Sequence, residues 1–424
     1  MNMKKIIVIG CGFGGLQFVK NLKKSTYDIL IIDKVNHHQF QPLFYQVAAS
    51  QIEPATISFP LRKIFQNRKD VRIRLATVNV VNSHNKTVET SIGKFEYDYL
   101  VIATGAVTNY FGNEEIESNT LSLKSTYKAM SIRNKTLMNF EKILYEKDND
   151  GLYNIIIVGG GPTGVELAGA YAEMKKNVLP KDYPNIMAQN VNVYLLEGSG
   201  HTLSSMSPFA QKYSEKYLRK MGVIVKTSVF VKAYDGETVN LSNGKTINSK
   251  NVIWTAGVKG NPIGGIPEDL LQKTNRIKVD RYNRVESLDD VFAIGDVAHM
   301  ETDKYPKGHP QLANVAIGQA KNLAKNINRM QKKEHPNLKS YEYRNLGTMA
   351  TVGRNKALVD LPFVKFKGGF AWLVWMFLHL MLILSVRNKL VIFINWAWNY
   401  ITKNSSLRLI LIDEEKDHHS SQTK

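Results

Sequence analysis

One local grammar occurs twice in this chain. In KKIIVIGCGFGGLQFVKNL a short β-branched apolar run enters a glycine cluster and then a helical pattern, and the next apolar run, YDILIID, closes on Asp33. In YNIIIVGGGPTGVELAGAYAEM the order is the same, and the closing run VNVYLLEG carries Glu197 near its end. A strand, a glycine turn, a helix and a second strand ending in an acid make a βαβ unit of the dinucleotide-binding kind. Its recurrence reads as an internal duplication, and it predicts an α/β fold with two Rossmann-like domains.

Both clusters fit G-x-G-x-x-G, at Gly10, Gly12 and Gly15 and at Gly159, Gly161 and Gly164. The first glycine permits the tight turn, the second lets a pyrophosphate approach the backbone, and the third lets the helix pack on the strand. The helix N-terminus then offers free N–H groups to the phosphates. Asp33 lies 18 residues past Gly15 and is placed to accept hydrogen bonds from a ribose. Glu197 lies 33 residues past Gly164, beyond the roughly 20 expected, which an insertion at KKNVLPKDYPNIMAQN explains. A carboxylate there bonds a free ribose 2′-hydroxyl and repels a 2′-phosphate, so NADH is expected over NADPH. The plainer reading of either acid is a strand-end surface residue.

Two nucleotide sites in one chain point to an electron relay, with a resident flavin in the first unit and an exchangeable nicotinamide in the second. In VFAIGDVAH a strand ends at Gly295 and Asp296, where a carboxylate can bond ribityl hydroxyls; the alternative for Asp296 is a helix N-cap. Cys11 is the only cysteine, which excludes a CxxC pair and an intrachain disulfide. Disulfide-reductase and sulfide-oxidase chemistry are therefore closed to this chain, and the acceptor takes electrons directly from the flavin. The start, MNMKKIIVIG, has too short an apolar run for a secretory leader, and the chain is expected to face the cytoplasm.

The formal net charge of +19 favours an anionic partner, and the basic residues are scattered in a way that suits a lipid surface better than nucleic acid. Near the end stands FAWLVWMFLHLMLILSV, residues 370–386, without a formal charge. Seventeen residues is the lower limit for spanning a bilayer, about 17–25. Trp372, Trp375, Trp396, Trp398 and Tyr400 suit a membrane interface, and Arg387, Lys389, Lys403 and Arg408 suit anionic headgroups. Two helices in one leaflet are favoured over a single span or a buried or dimeric interface. A lipid-facing platform beside a flavin points to a membrane quinone. The polar end, DEEKDHHSSQTK, is expected to be disordered, and its two histidines need no metal.

Taken together, IIVIGCGFGGLQ, FQPLFYQVA, LVIATGAVTNYFG, IIIVGGGPTGVELAGA, IWTAGV, VFAIGDVA and the Trp-rich block resemble the type II NADH:quinone oxidoreductases over about residues 4–410. The resemblance implies a glutathione-reductase-like fold without redox cysteines plus a C-terminal membrane-associated helical module. The FAD-binding domain would comprise residues 1–120 and 260–335, the NADH-binding domain 121–259, the β and membrane-anchoring part 336–412, and the tail 413–424. FAD contacts carried over are Gly10, Gly12, Gly14, Gly15, Asp33, Lys34, Ala103, Asp296, Ala313 and Asn314. NADH contacts are Gly159, Gly161, Gly164, Glu197 and Gly257. Glu166 would couple the flavin or quinone chemistry to proton movement; its plainer reading is a carboxylate favoured by the helix dipole. The implied activity is hydride transfer from NADH to FAD and passage of two electrons to ubiquinone or menaquinone at the cytoplasmic face of the membrane, without ion pumping. No metal is implied, and a homodimer is compatible.

One departure stands out. Where the family usually has glutamines, this chain has Asn314 and Gly318, and the neighbouring Gln319 points about 100° around the helix. The residues themselves leave two other readings open: a flavin reductase serving a soluble acceptor such as ferredoxin, and a nucleotide-binding redox sensor.

Overall fold

The computed structural model describes residues 3–146, 149–331, 336–403 and 407–411. The tail 413–424 lies outside the described residues. The chain divides into two compact units, one of Met1–Gln39, Ser58–Val107 and Val258–Asn345, the other of Phe40–Ile57, Thr108–Gly257 and Leu346–Lys424.

In the first unit a parallel five-stranded sheet runs in the order Val291–Ala293, Tyr99–Ile102, Lys4–Ile9, Tyr27–Asp33, Val71–Leu75. After two exposed lysines the central strand is apolar without alternation, and Ile6 to Ile9 are buried, as a parallel strand covered on both faces requires. The helices Phe13–Asn21 and Ala313–Met330 pack together. The second is amphipathic, burying Val315, Ala316, Gln319, Ala320, Leu323, Ala324 and Ile327 at helical spacing.

In the second unit the parallel sheet runs Leu121–Ser122, Asn251–Trp254, Asn154–Val158, Asn192–Leu196, Ile224–Lys226. The first strand of the βαβ grammar is central in both sheets, as the duplication predicts. The helix Pro162–Asn177 is followed by a short helix, Leu179–Asp182, and a 3₁₀ turn, Ala188–Asn190, before the strand that leads to Glu197. This is the expected insertion. An antiparallel meander, Thr348–Thr351, Ala357–Asp360 and Lys365–Gly368, then leads into two helices.

Those helices are Gly369–Leu382 and Val386–Thr402. The uncharged stretch 370–386 is thus interrupted at 383–385. Its first helix has 14 residues and is about 21 Å long at 1.5 Å per residue, short of a hydrocarbon core about 30 Å thick. Among the described residues no helix is long and apolar enough to cross a membrane, so the single-span alternative falls. Each helix has one inward face. Trp375 is buried, and Trp396 donates its Nε1–H to Gln46 Oε1 at 2.8 Å. Asn388 donates to the carbonyl oxygens of Ala55 (3.2 Å) and Thr56 (2.9 Å), and Asn399 to that of Gln51 (2.9 Å). Phe370, Leu373, Phe377, Met381, Leu390, Phe393, Ile394 and Ile401 are exposed.

Two parts of the membrane expectation need correction. Trp375 and Trp396 are packed inside the unit, where their rings lie 6.0 Å apart, so they are not interfacial aromatics. Arg408 is ion-paired with Asp182 and is not a free headgroup ligand. Trp398, Tyr400 and Arg387 remain exposed.

Candidate active site

The first glycine turn is a cradle closed on three sides. Gly10 has φ +90, and a Cβ there would lie 2.5 Å from Ala103 O. A Cβ on Gly15 would lie 2.0 Å from Gly10 O, whereas one on Gly12 would meet nothing within 4 Å. The third glycine is therefore needed for packing, and the second leaves open room for a ligand. Ala103 holds the turn from the neighbouring strand, its N–H bonding to Ile9 O at 2.8 Å. Asp33 accepts from the N–H groups of Cys11 (2.6 Å) and Val35 (2.9 Å). Burial raises its pKa against the lowering effect of those bonds. Lys34 beside it is exposed. His38, which the sequence reading did not single out, meets Cys11 O through Nδ1 at 3.1 Å; burial lowers its pKa to about 4, so the ring is neutral and donates.

The same place receives Gly295, Asp296 and the start of the helix Ala313–Met330. Gly14 and Gly295 both abut Ala316, and Gly14 also abuts Ile294. Asp296 sits in a 3₁₀ turn, Gly295–Val297. The long helix that follows has Leu312 at its N-cap and no side-chain cap bond, so the N-cap reading of Asp296 fails. Asn314 donates to Tyr343 Oη at 3.4 Å, while its buried Oδ1 has no partner among the described residues. The open Gly12, a helix start without a side-chain cap and an unpartnered acceptor at Asn314 fit an FAD lying across this cradle.

The departure at Gly318 has a structural reason. A Cβ there would lie 2.4 Å from Tyr341 Oη, so the tyrosine occupies the space a longer side chain would need. Gln319 faces another way, as expected: it is fully buried and accepts from Gly295 N–H at 2.7 Å.

The second turn repeats the first. Gly159 has φ +107 and abuts Ala256, a Cβ on Gly164 would lie 1.8 Å from Gly159 O, and one on Gly161 would meet nothing within 4 Å. Glu197 accepts from the N–H groups of Gly160 and Ser199, as Asp33 does from Cys11 and Val35. Gly257, with φ +88, closes the turn after the strand Asn251–Trp254.

Two residues past Gly164, Glu166 is buried in the same unit. Its Oε1 accepts only a long bond, 3.4 Å, from Thr351 N–H. Burial pushes its pKa up to about 8, with that bond alone opposing. Glu173 follows seven residues later on the same helix face and accepts from Arg354 N–H. Gly169 lies between them, where a Cβ would lie 2.5 Å from Val352 O, so the helix is pressed onto the turn 351–354. Both carboxylates, with Tyr45, Trp372, Trp375 and Trp396, line a cleft of about 100 Å³. Glu173 and Tyr45 were missed in the sequence; the i, i+7 spacing from Glu166 could have found the first.

Residues 4–320 match the pyridine nucleotide-disulphide oxidoreductase family and residues 345–403 the NDH2 C-terminal domain. The chain is 31% identical to the type II NADH:quinone oxidoreductase Ndh of Mycobacterium tuberculosis, over 97% of this chain and 91% of that protein. This chain belongs to the type II NADH:quinone oxidoreductase family. A second Mycobacterium tuberculosis member, NdhA, is 31% identical over 94% of this chain and 87% of its own length. The structure of NDH2 from Plasmodium falciparum in complex with NADH shares the fold, with a TM-score of 0.88 at 20% identity, covering 97% of this chain and all of that one. Cys11, the one cysteine of the sequence, is buried and free.

Proposed function

We propose that this chain is a flavin-dependent NADH dehydrogenase that passes the electrons of NADH to a membrane quinone. The observation that carries this reading is the pair of glycine cradles, each with an acid fixed to the turn, in a chain that belongs to the type II NADH:quinone oxidoreductases. When bound, FAD supplies the two-electron chemistry between NADH and quinone. Gly10, Gly12, Gly14, Gly15, Asp33, Lys34, Ala103, Asp296, Ala313 and Asn314 would hold it. Gly159, Gly161, Gly164, Glu197 and Gly257 would hold NADH, with Glu197 rejecting a 2′-phosphate.

Quinone reduction consumes protons. Glu166 is placed to hold one near neutral pH and release it in the cleft, since its pKa of about 8 keeps the carboxyl largely protonated at pH 7. The cleft's aromatic lining suits an apolar ring compound. The exposed faces of the helices Gly369–Leu382 and Val386–Thr402 support attachment to one leaflet of an anionic membrane without a span, and the side we assign is the cytoplasmic one. The same faces argue against a purely soluble acceptor.

Stopped-flow absorbance tests the reading. The lipid-reconstituted protein is mixed anaerobically with NADH and then with a short-chain quinone. Rapid bleaching of the flavin band followed by quinone-driven recovery is expected. Bleaching without recovery would return the function to a protein acceptor or a sensor. Co-sedimentation with anionic vesicles tests the surface; a homodimer that hides the apolar faces would stay in the supernatant.

A further inference from the structure

Phe111 is 71% exposed and has φ +55. A singly exposed aromatic is ordinary. A bulky residue in the left-handed region is not, because its Cβ crowds the backbone, and such strain persists only where surrounding contacts impose it. Asn109 imposes it here. Phe111 N–H donates to Asn109 Oδ1 at 2.9 Å, Asn109 N–H donates to Gly257 O at 3.3 Å, and Asn109 O accepts from the indole N–H of buried Trp254 at 2.9 Å. The ring is thereby held out from the body of its unit, and its tip reaches Gly257: a Cβ there would stand 3.3 Å from Phe111 Cζ.

The sheet gives this position a meaning. The strand Asn154–Val158, which feeds the glycine turn, has Asn192–Leu196 on one side and Asn251–Trp254 on the other. A dinucleotide on such a turn lies across the carboxyl ends of these strands. Glu197, beyond the end of Asn192–Leu196, marks the adenosine ribose. The other half of the molecule must then run past Thr255 to Gly257, where Gly159 abuts Ala256 and where Phe111 stands.

We propose that the Phe111 ring is the wall that positions the nicotinamide end of NADH, an assignment that rests on the NADH reading above. An aromatic face packed on one side of the nicotinamide limits its tilt and leaves the other side free to give up hydride. Gly257, whose φ of +88 itself calls for glycine, leaves the space beside the ring open. The rival is a turn residue whose side chain does nothing.

Titration calorimetry on the full-length holoenzyme separates these with two ligands. ADP-ribose lacks the nicotinamide, and 1,4,5,6-tetrahydro-NAD is an unreactive analogue of NADH. In Phe111→Ala, affinity for tetrahydro-NAD should fall about five- to tenfold, the worth of an aromatic pair, while affinity for ADP-ribose stays at the wild-type value. Phe111→Tyr should restore it. Phe111→Gly, which removes the strain and the ring together, should bind like the alanine variant. The proposal is overturned if both ligands weaken equally, if neither weakens, or if Phe111→Gly binds as wild type. If the wild-type protein binds neither ligand, the NADH reading itself fails, and this proposal with it.

Discussion

The two glycine turns share a backbone and differ in how they are covered. In both, the first glycine has positive φ, the third abuts the carbonyl of the first, and an acid at the end of the second strand accepts from the residue after the first glycine. In the first turn Gly14 is buried against Ile294 and Ala316, segments that return to it from far along the chain. The corresponding residue of the second turn, Thr163, is exposed, as is Pro162 beside it. One frame thus makes an enclosed seat suited to a resident cofactor and an open one suited to a substrate that must leave each turnover.

The most disruptive way to test the comparison is to add one methyl group to each third glycine. Gly15→Ala and Gly164→Ala each drive a Cβ to about 2 Å from a backbone oxygen that cannot move without unmaking the turn. Overpacking of this kind costs about 1–3 kcal/mol or more, enough for a 10- to 100-fold loss of binding. Gly15→Ala should purify with little FAD. Gly164→Ala should keep its yellow colour and lose binding of NADH. Absorbance at the flavin band and calorimetry with ADP-ribose check the two arms; loss of FAD from both variants would break the division of labour.

The helices after the turns differ at equivalent positions, two residues past the third glycine. Gln17 accepts locally from Asn21, while Glu166 is a buried carboxyl. Its folded pKa of about 8 lies above its ordinary 4.5, so the folded state keeps a proton that the unfolded state releases between those values. Stability therefore falls as pH rises through that window, by about 1.4 kcal/mol for each pH unit. Glu166→Gln should flatten this decline in thermal melts from pH 5 to 9. It should also slow the quinone-driven half of turnover about 10- to 100-fold and leave the NADH-driven half unchanged. A melt profile unchanged in shape would show that the carboxyl titrates normally.

Glu197 offers a smaller effect. Glu197→Gln removes the charge and keeps one of the two bonds, because the N–H groups of Gly160 and Ser199 reach different carboxylate oxygens and the amide nitrogen cannot accept. Discrimination against NADPH, measured as the ratio of kcat/KM values, should fall about tenfold, the worth of one charge-assisted contact of about 1.5 kcal/mol. Asp33→Asn in the first turn should leave that ratio untouched. A change in both variants would mean that the two acids do not serve separate nucleotides.

The turns were legible in the sequence because their determinants are local: a β-branched run, glycines at fixed spacing and an acid at the next strand end. Segment 40–57 was not. It lies in the second unit because Gln46, Gln51, Ala55 and Thr56 bond to Trp396, Asn399 and Asn388, more than 300 residues away, and single polar contacts leave no periodicity. The uncharged stretch announced burial or lipid but not its break at 383–385, where neither proline nor glycine marks the end. Its tryptophans misled for a related reason. An amphipathic ring suits a membrane interface and a hydrogen-bonded core equally, and only the Gln46 partner decides for Trp396. Nor does the local pattern around Gly318, which puts no side chain where the family usually has glutamine, show that Tyr341 fills the space.

The smallest effect comes from exchanging the residue between the first two glycines. Cys11 is buried, and burial pushes its thiol pKa up, so it acts as a small apolar filler beside the Asp33 bond. Cys11→Gly makes the first turn resemble the second and should cost about 1 kcal/mol, the loss of one buried small group, with FAD retained. The reverse exchange is not symmetric. A Cβ on Gly160 would lie 2.9 Å from Glu197 Oε2 and 3.0 Å from its Cβ and Cγ, so even Gly160→Ala must push the acid aside. The longer glutamate of the second turn needs the space that the shorter aspartate of the first leaves to a side chain. Gly160→Ala should therefore weaken ADP-ribose binding, and shortening the acid in Gly160→Ala/Glu197→Asp should recover most of the loss. Additive losses in that double variant would show that the acid and the turn residue are chosen independently.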